Sequence, residues 1–125
     1  MQYTEKVMEA FQNPKNVGEI ENYDGMGMIG SEACGDIMQV FIKVENGVIA
    51  DAKFKTSGCA AAIATSSTAT EMIKGMTVDE ALEVTNKKVI EVLGGLPPQK
   101  IHCSVLAEQA IKAAIEDYKK RSSHK

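Results

Sequence analysis

Three features of the sequence predict an α+β domain, with a small antiparallel sheet, helices packed against one face and a site at one edge. The residues either side of Asn46-Gly47 alternate between apolar and polar with the two-residue period of strands. After Gly58-Cys59 the period lengthens, and Ala60-Ala61-Ala62-Ile63-Ala64-Thr65 opens a helix. The last long stretch carries an amphipathic stripe of Leu106, Ala107, Ala110, Ile111, Ala114, Ile115 and Tyr118. With 125 residues, positions 1–125 form one domain, large enough for a real core and too small for two.

In chain order, Tyr3, Val7, Met8 and Phe11 define one side of a short helix that Asn13-Pro14 ends. Asn16-Val17-Gly18 through Asn22-Tyr23-Asp24-Gly25 is rich in turn formers and reads as an ordered loop. Met26 to Glu32 is a first strand, weakened by Gly27 and Gly30. From Ile37 to Val44, Met38, Val40, Ile42 and Val44 share one face, with Gln39 and Lys43 on the other. Asn46-Gly47 supplies the two positive-φ positions of a tight hairpin turn. The return strand, Val48 to Lys55, is expected to turn Val48, Ala50, Ala52 and Phe54 inward. The following helix ends near Gly75. Thr77 and Glu80 make a capping box for Val78 to Val84, and Asn86 is expected to cap Lys87 to Leu93, closed by Gly94-Gly95. Leu96-Pro97-Pro98-Gln99-Lys100 is expected to be stiff, extended and exposed, because two prolines fix φ and remove two donors. The last helix runs from about Cys103 to Arg121.

Charged residues make up 25% and apolar residues 44% of the chain, as in ordinary soluble domains. The net charge of −3 gives no reason to expect a nucleic-acid partner, and no apolar run approaches a membrane span. The opening residues lack the apolar core of a signal peptide, so a cytoplasmic location is expected. Three cysteines are an odd number, which favours metal or thiol chemistry over a disulfide framework.

Each cysteine stands at the end of an element. Cys34 precedes the first hairpin strand, Cys59 follows the second, and Cys103 opens the last helix beside His102. A hairpin that runs out from Cys34 and returns to Cys59 can bring the two together despite a separation of 25 positions. If the last helix begins at the same end, His102 and Cys103 join them. Gly35 and Gly58 let the backbone come close to a bound group, and Asp36 adds a carboxylate. Three thiolates, an imidazole and a carboxylate suit zinc or an iron–sulfur cluster, and their spacing does not separate the two. They do not suit magnesium or calcium. The His102-Cys103 pair also reads as a nucleophile with its base, since a helix N-terminus favours thiolate. The plain alternative is three buried cysteines acting as small apolar side chains.

Ala33-Cys34-Gly35-Asp36, Phe54-Lys55-Thr56-Ser57-Gly58-Cys59 and Leu96-Pro97-Pro98-Gln99-Lys100-Ile101-His102-Cys103-Ser104 resemble the three motifs of the IscU/NifU-type iron–sulfur cluster scaffold proteins. Tyr3-Thr4-Glu5-Lys6-Val7 and Asn13-Pro14-Lys15-Asn16-Val17-Gly18 are similar to that family's opening. The likeness thus spans nearly the whole chain, in the free-standing IscU form. It implies a three-stranded antiparallel sheet and a scaffold, not an enzyme, on which a [2Fe–2S] cluster is built from iron and desulfurase-derived sulfur before transfer to apo-acceptor proteins. Cys34, Cys59 and Cys103 correspond to the family's cysteines, with Asp36 and His102 as rivals for the remaining ligand position. Cys103 is the expected persulfide acceptor. The resemblance also implies a cysteine desulfurase partner, and it leaves open a homodimer when cluster-loaded and zinc in the resting protein. In the family, Leu96, Pro97, Pro98, Gln99 and Lys100 correspond to the docking segment of an Hsp70-type chaperone. Gln99 stands where valine is usual, which weakens that expectation. Gly58-Cys59-Ala60-Ala61 departs from the more usual Gly-Cys-Gly-Ser with small residues retained. The alternatives are a zinc-bound sulfur-transfer protein of the SufU kind, with Cys34, Asp36, Cys59 and Cys103 as ligands, and a structural zinc module. His102, and the short interval of 44 positions from Cys59 to Cys103, argue against the SufU branch.

Overall fold

The computed structural model describes residues 4–31, 36–57, 60–96 and 101–123. Tyr3, Cys34, Gly35, Gly58, Cys59, Pro97 to Lys100 and the His124-Lys125 tail lie outside them, as do the expectations attached to those residues. The elements run α1 (Glu5–Gln12), β1 (Gly25–Ser31), β2 (Asp36–Glu45), β3 (Val48–Thr56), α2 (Ala60–Ile73), α3 (Val78–Leu82), α4 (Asn86–Leu93) and α5 (Ile101–Ser123). The strands form one antiparallel sheet in the order β1-β2-β3. Val40, Ile42, Ala52 and Phe54 on one face join Ala61, Ala64, Ile73, Ala110, Ile111 and Ile115 of α2 and α5 in the core.

Asn46 and Gly47 both take positive φ, 54° and 77°, as a tight hairpin turn requires. The return strand is out of phase with the expected alternation near its start. Ile49 is buried, Val48 is half-buried and Ala50 is exposed. Lys43 pairs with Asp51 and Val44 with Ile49, so Ala50 is an extra residue in the ladder. Such a bulge reverses the inward phase on one side of itself, and the regular pattern resumes at Ala52 and Phe54.

The glycines of β1 have a packing role. A Cβ on Gly25 would lie 2.2 Å from the Ala114 carbonyl, and one on Gly27 would lie 2.3 Å from the Ala110 carbonyl. The backbone of α5 therefore rests directly on β1, which only glycine permits. Asp117 fixes the register by accepting the Met26 N–H at 3.0 Å and pairing with Arg121 at 2.9 Å. Arg121 lies over the Tyr23 ring, 4.9 Å from its centroid, and Tyr23 covers Phe41 on the sheet's other face.

Further differences concern ends and stripes. The N-cap of α4 is Thr85, whose hydroxyl accepts the Lys88 N–H, and Asn86 is already helical. The Thr77–Glu80 capping box forms, and Gly94 closes α4 in the left-handed conformation. Helix α5 starts two residues earlier than expected, so Cys103 is its third residue. On α1 only Val7 is buried, while Met8 and Phe11 are both 38% exposed, because eight residues present too narrow a face to bury all three. Leu96 packs half-buried against the core, so the proline-rich segment is not exposed from its first residue.

Candidate metal and cluster site

The topology gathers two chain links and the first turn of a helix at one edge of the sheet. Ser31 and Asp36 are cross-strand partners, so the link 32–35, with Cys34, closes the β1–β2 hairpin there. Thr56 of β3 pairs with Met38 of β2, which puts the link that contains Cys59 beside the first. Three hydrogen bonds tie that junction: Ser57 N–H to the Ile37 carbonyl at 3.2 Å, Ile37 N–H to Ser57 Oγ at 3.2 Å, and Thr56 Oγ1 to the Ile37 carbonyl at 2.7 Å. Ile37 follows Asp36 directly, so the strand ends that carry Cys34, Asp36 and Cys59 are one hydrogen-bonded unit.

The third contribution comes from α5. Its residues opposite β1 step back from Ala114 and Tyr118 at Gly25 to Ala110 and Ala113 at Gly27, so it runs antiparallel to the strand. From Gly27 to Ser31 the strand advances about 13 Å, which matches about nine residues of helix. The first turn of α5, with His102 and Cys103, therefore lies at the Ser31–Asp36 edge. Ser104, fully buried, donates from its hydroxyl to the Ile101 carbonyl at 2.7 Å and anchors that turn. Asp36, His102 and Cys103 are placed here by their backbone and position in the elements.

The five residues singled out in the sequence thus belong to two links and two element ends that the fold brings to one edge. Thr56 and Ser57 fix the β3 end of the link that contains Cys59, a role that the motif they belong to does not reveal. Their signal was a run of hydroxyl residues just before Gly58. The edge is bordered by exposed apolar side chains: Met28 at 60%, Ile37 at 50% and Ile101 at 39% exposure. A separate cleft lies between α1, α2 and α4, with Ala10, Met72 and Leu93 in its lining. No helix among the described residues is long and apolar enough to cross a membrane.

Comparison with known proteins agrees with this fold. The model of the NifU-like N-terminal domain matches residues 2–125. The iron–sulfur cluster assembly scaffold protein IscU 1 of Archaeoglobus fulgidus is 59% identical over 116 residues, covering 93% of this chain and 76% of the relative. The IscU scaffold protein of Escherichia coli is 54% identical over 129 residues, covering all of both chains. Among solved structures, an iron–sulfur cluster assembly scaffold protein for the SUF system from Fervidobacterium islandicum superposes with a TM-score of 0.75 at 25% identity, over 90% of this chain and 96% of that one. The NifU-like protein of Brucella abortus, at 20% identity and a TM-score of 0.74 over 93% of each chain, shows the same fold.

Proposed function

The chain belongs to the NifU-like N-terminal domain family, and on that premise we propose that it is the scaffold its IscU relatives are named for, on which an iron–sulfur cluster is assembled. The observation that carries the reading is the convergence of three cysteine-bearing element ends on one edge of the sheet. Cys34, Cys59 and Cys103 supply three soft thiolates, with Asp36 or His102 completing the set around a [2Fe–2S] cargo. Zinc fits the same donors in the resting protein.

Sulfur arrives as the persulfide of a cysteine desulfurase. The Cys103 thiolate attacks the outer sulfur, a new S–S bond forms on Cys103, and the desulfurase leaves as its own thiolate. Release as sulfide then takes two electrons from an external reductant. Cys103 is the acceptor because it lies in the first turn of a 23-residue helix, where the unpaired N–H groups favour thiolate. The exposed Met28, Ile37 and Ile101 beside the edge suit apolar contact with protein partners, the desulfurase and apo-acceptors among them.

Anaerobic reconstitution with iron and sulfide tests the reading. A coloured [2Fe–2S] spectrum is expected, lost or shortened in lifetime when Cys34, Cys59 or Cys103 is replaced by Ser. A colourless protein that holds only zinc would instead support a zinc module. After incubation with desulfurase and cysteine, mass spectrometry should find the added sulfur on Cys103.

A further inference from the structure

Residues 13–18 form a strap that lies outside the sheet and outside every helix. At its centre Asn16 stands in the left-handed conformation, φ 67°. Its carbonyl accepts the Phe54 N–H at 2.8 Å, and Gly18 N–H donates to the Phe54 carbonyl at 2.9 Å, so the strap pairs with the outer edge of β3. Its side chain turns the other way, to α2. Nδ2 donates to Thr70 Oγ1 at 3.1 Å and to Glu71 Oε2 at 3.0 Å, while Oδ1 accepts from Lys74 Nζ. One residue earlier, Lys15 N–H donates to the buried Ser67 hydroxyl at 2.8 Å. Lys74 also reaches Asp51 of β3, 3.6 Å away.

Both amide hydrogens of the Asn16 side chain are thus engaged with α2, its carbonyl oxygen with Lys74 just past the end of that helix, and its main-chain carbonyl with β3. The left-handed conformation is what lets one residue face both elements, and asparagine is among the few residues that adopt it readily. β3 and α2 are the two elements joined by the link that contains Cys59, which spans only residues 57–59. A link so short has its course set by the relative placement of the elements it joins.

We propose that Asn16 is a positioning residue for the metal and cluster site: by clamping β3 to α2 it holds the Cys59 link in register with the Cys34 link. It acts from outside the cysteine edge and touches no cargo. The inference rests on the shared-site reading above, and Co²⁺ serves as the probe because thiolate-to-cobalt absorption reports how many thiolates bind.

Asn16→Gly keeps the backbone conformation and removes the side-chain bonds, and Lys74→Met removes one of them from the α2 side. Thr85→Ala is the control, since loss of the α4 N-cap destabilises the fold by a comparable amount without touching β3 or the strap. In Asn16→Gly the affinity for Co²⁺ should fall about tenfold. The absorption should drop by the share of one thiolate, and exchange of the Gly18 and Phe54 amides should quicken. Lys74→Met should shift all three in the same direction by less, while Thr85→Ala keeps the wild-type Co²⁺ spectrum. Wild-type affinity and absorption in Asn16→Gly would overturn the role of Asn16, as would equal losses in Thr85→Ala. A wild-type protein that gives no thiolate-to-cobalt band would remove the shared-site reading itself, and the inference with it.

Discussion

Asp36 is the first residue of β2 and the cross-strand partner of Ser31, two positions from Cys34. A scaffold must hold its cargo firmly enough to build it and loosely enough to surrender it. A carboxylate is a hard ligand, poorly matched to an iron site otherwise completed by thiolates. If Asp36 is the exchangeable ligand, an acceptor thiolate enters where it leaves. Asp36→Ala should then still assemble a cluster, with His102 as ligand, but pass it to an apo-ferredoxin more slowly. Transfer at the wild-type rate with equal loading would assign the release step elsewhere. Glu71 gives a second expectation at this scale. The hydrogen bond from Asn16 lowers its carboxyl from the ordinary value; burial opposes this, and the charges of Lys74 and Lys15 add to the lowering. A depressed folded-state value means that the ionised form stabilises the strap above the unfolded-state value. That contribution is lost as pH falls through the folded-state value. Amide exchange at Gly18 and Phe54, corrected for its intrinsic pH dependence, should therefore gain on that of the core strands in acid. Glu71→Gln should flatten the difference.

At the scale of elements, β1 and α5 form the contact on which the third arm of the site depends. Gly27→Ala would bring its Cβ to 2.3 Å from the Ala110 carbonyl and 2.5 Å from the Ala114 nitrogen, both main-chain atoms that cannot rotate away. The helix must lift or the strand must bend, and overpacking of this kind costs about 3 kcal/mol. Denaturant unfolding should show that loss. Because α5 carries His102 and Cys103, the refolded variant should also lose cluster lifetime. Gly47→Ala makes a useful contrast, since a Cβ there meets nothing within 4 Å and the variant pays only for its positive φ in the hairpin turn.

For the molecule as a whole, the edge proposed to hold the cargo adjoins the segment expected to meet a partner. The proline-rich segment leaves the half-buried Leu96 and leads straight into α5, so it lies directly before the turn that holds Cys103. Gln99 puts an amide where the family's chaperone-docking segment usually has valine. Burying it in an apolar pocket should lose roughly 1–3 kcal/mol, or one to two decades in affinity. Calorimetry with peptides that carry Gln or Val at position 99 should separate the two by that amount with a family chaperone. Equal affinities would mean that the side chain at 99 does not enter the pocket.

The sequence by itself determined what local chemistry dictates. Asn46-Gly47 called for its turn, Thr77 and Glu80 for their capping box, and the stripe from Leu106 to Ile115 for a buried helix face, and all three are present. It also put each cysteine at the end of an element, because glycine and proline punctuate those ends. Tertiary structure decided the rest. The bulge at Ala50 has no local signature, since alternation reads equally well in either phase until a partner strand sets the register. Gly27 looked like a weakness in a strand, and Gly25 like the end of a loop, until a helix backbone was found lying on both. Asn16 looked like one more turn former. Its role depends on Thr70, Glu71 and Lys74, more than fifty residues away. Such partners meet only when the chain has folded, because hydrogen bonds of long sequence separation leave no periodic trace in the residues that make them.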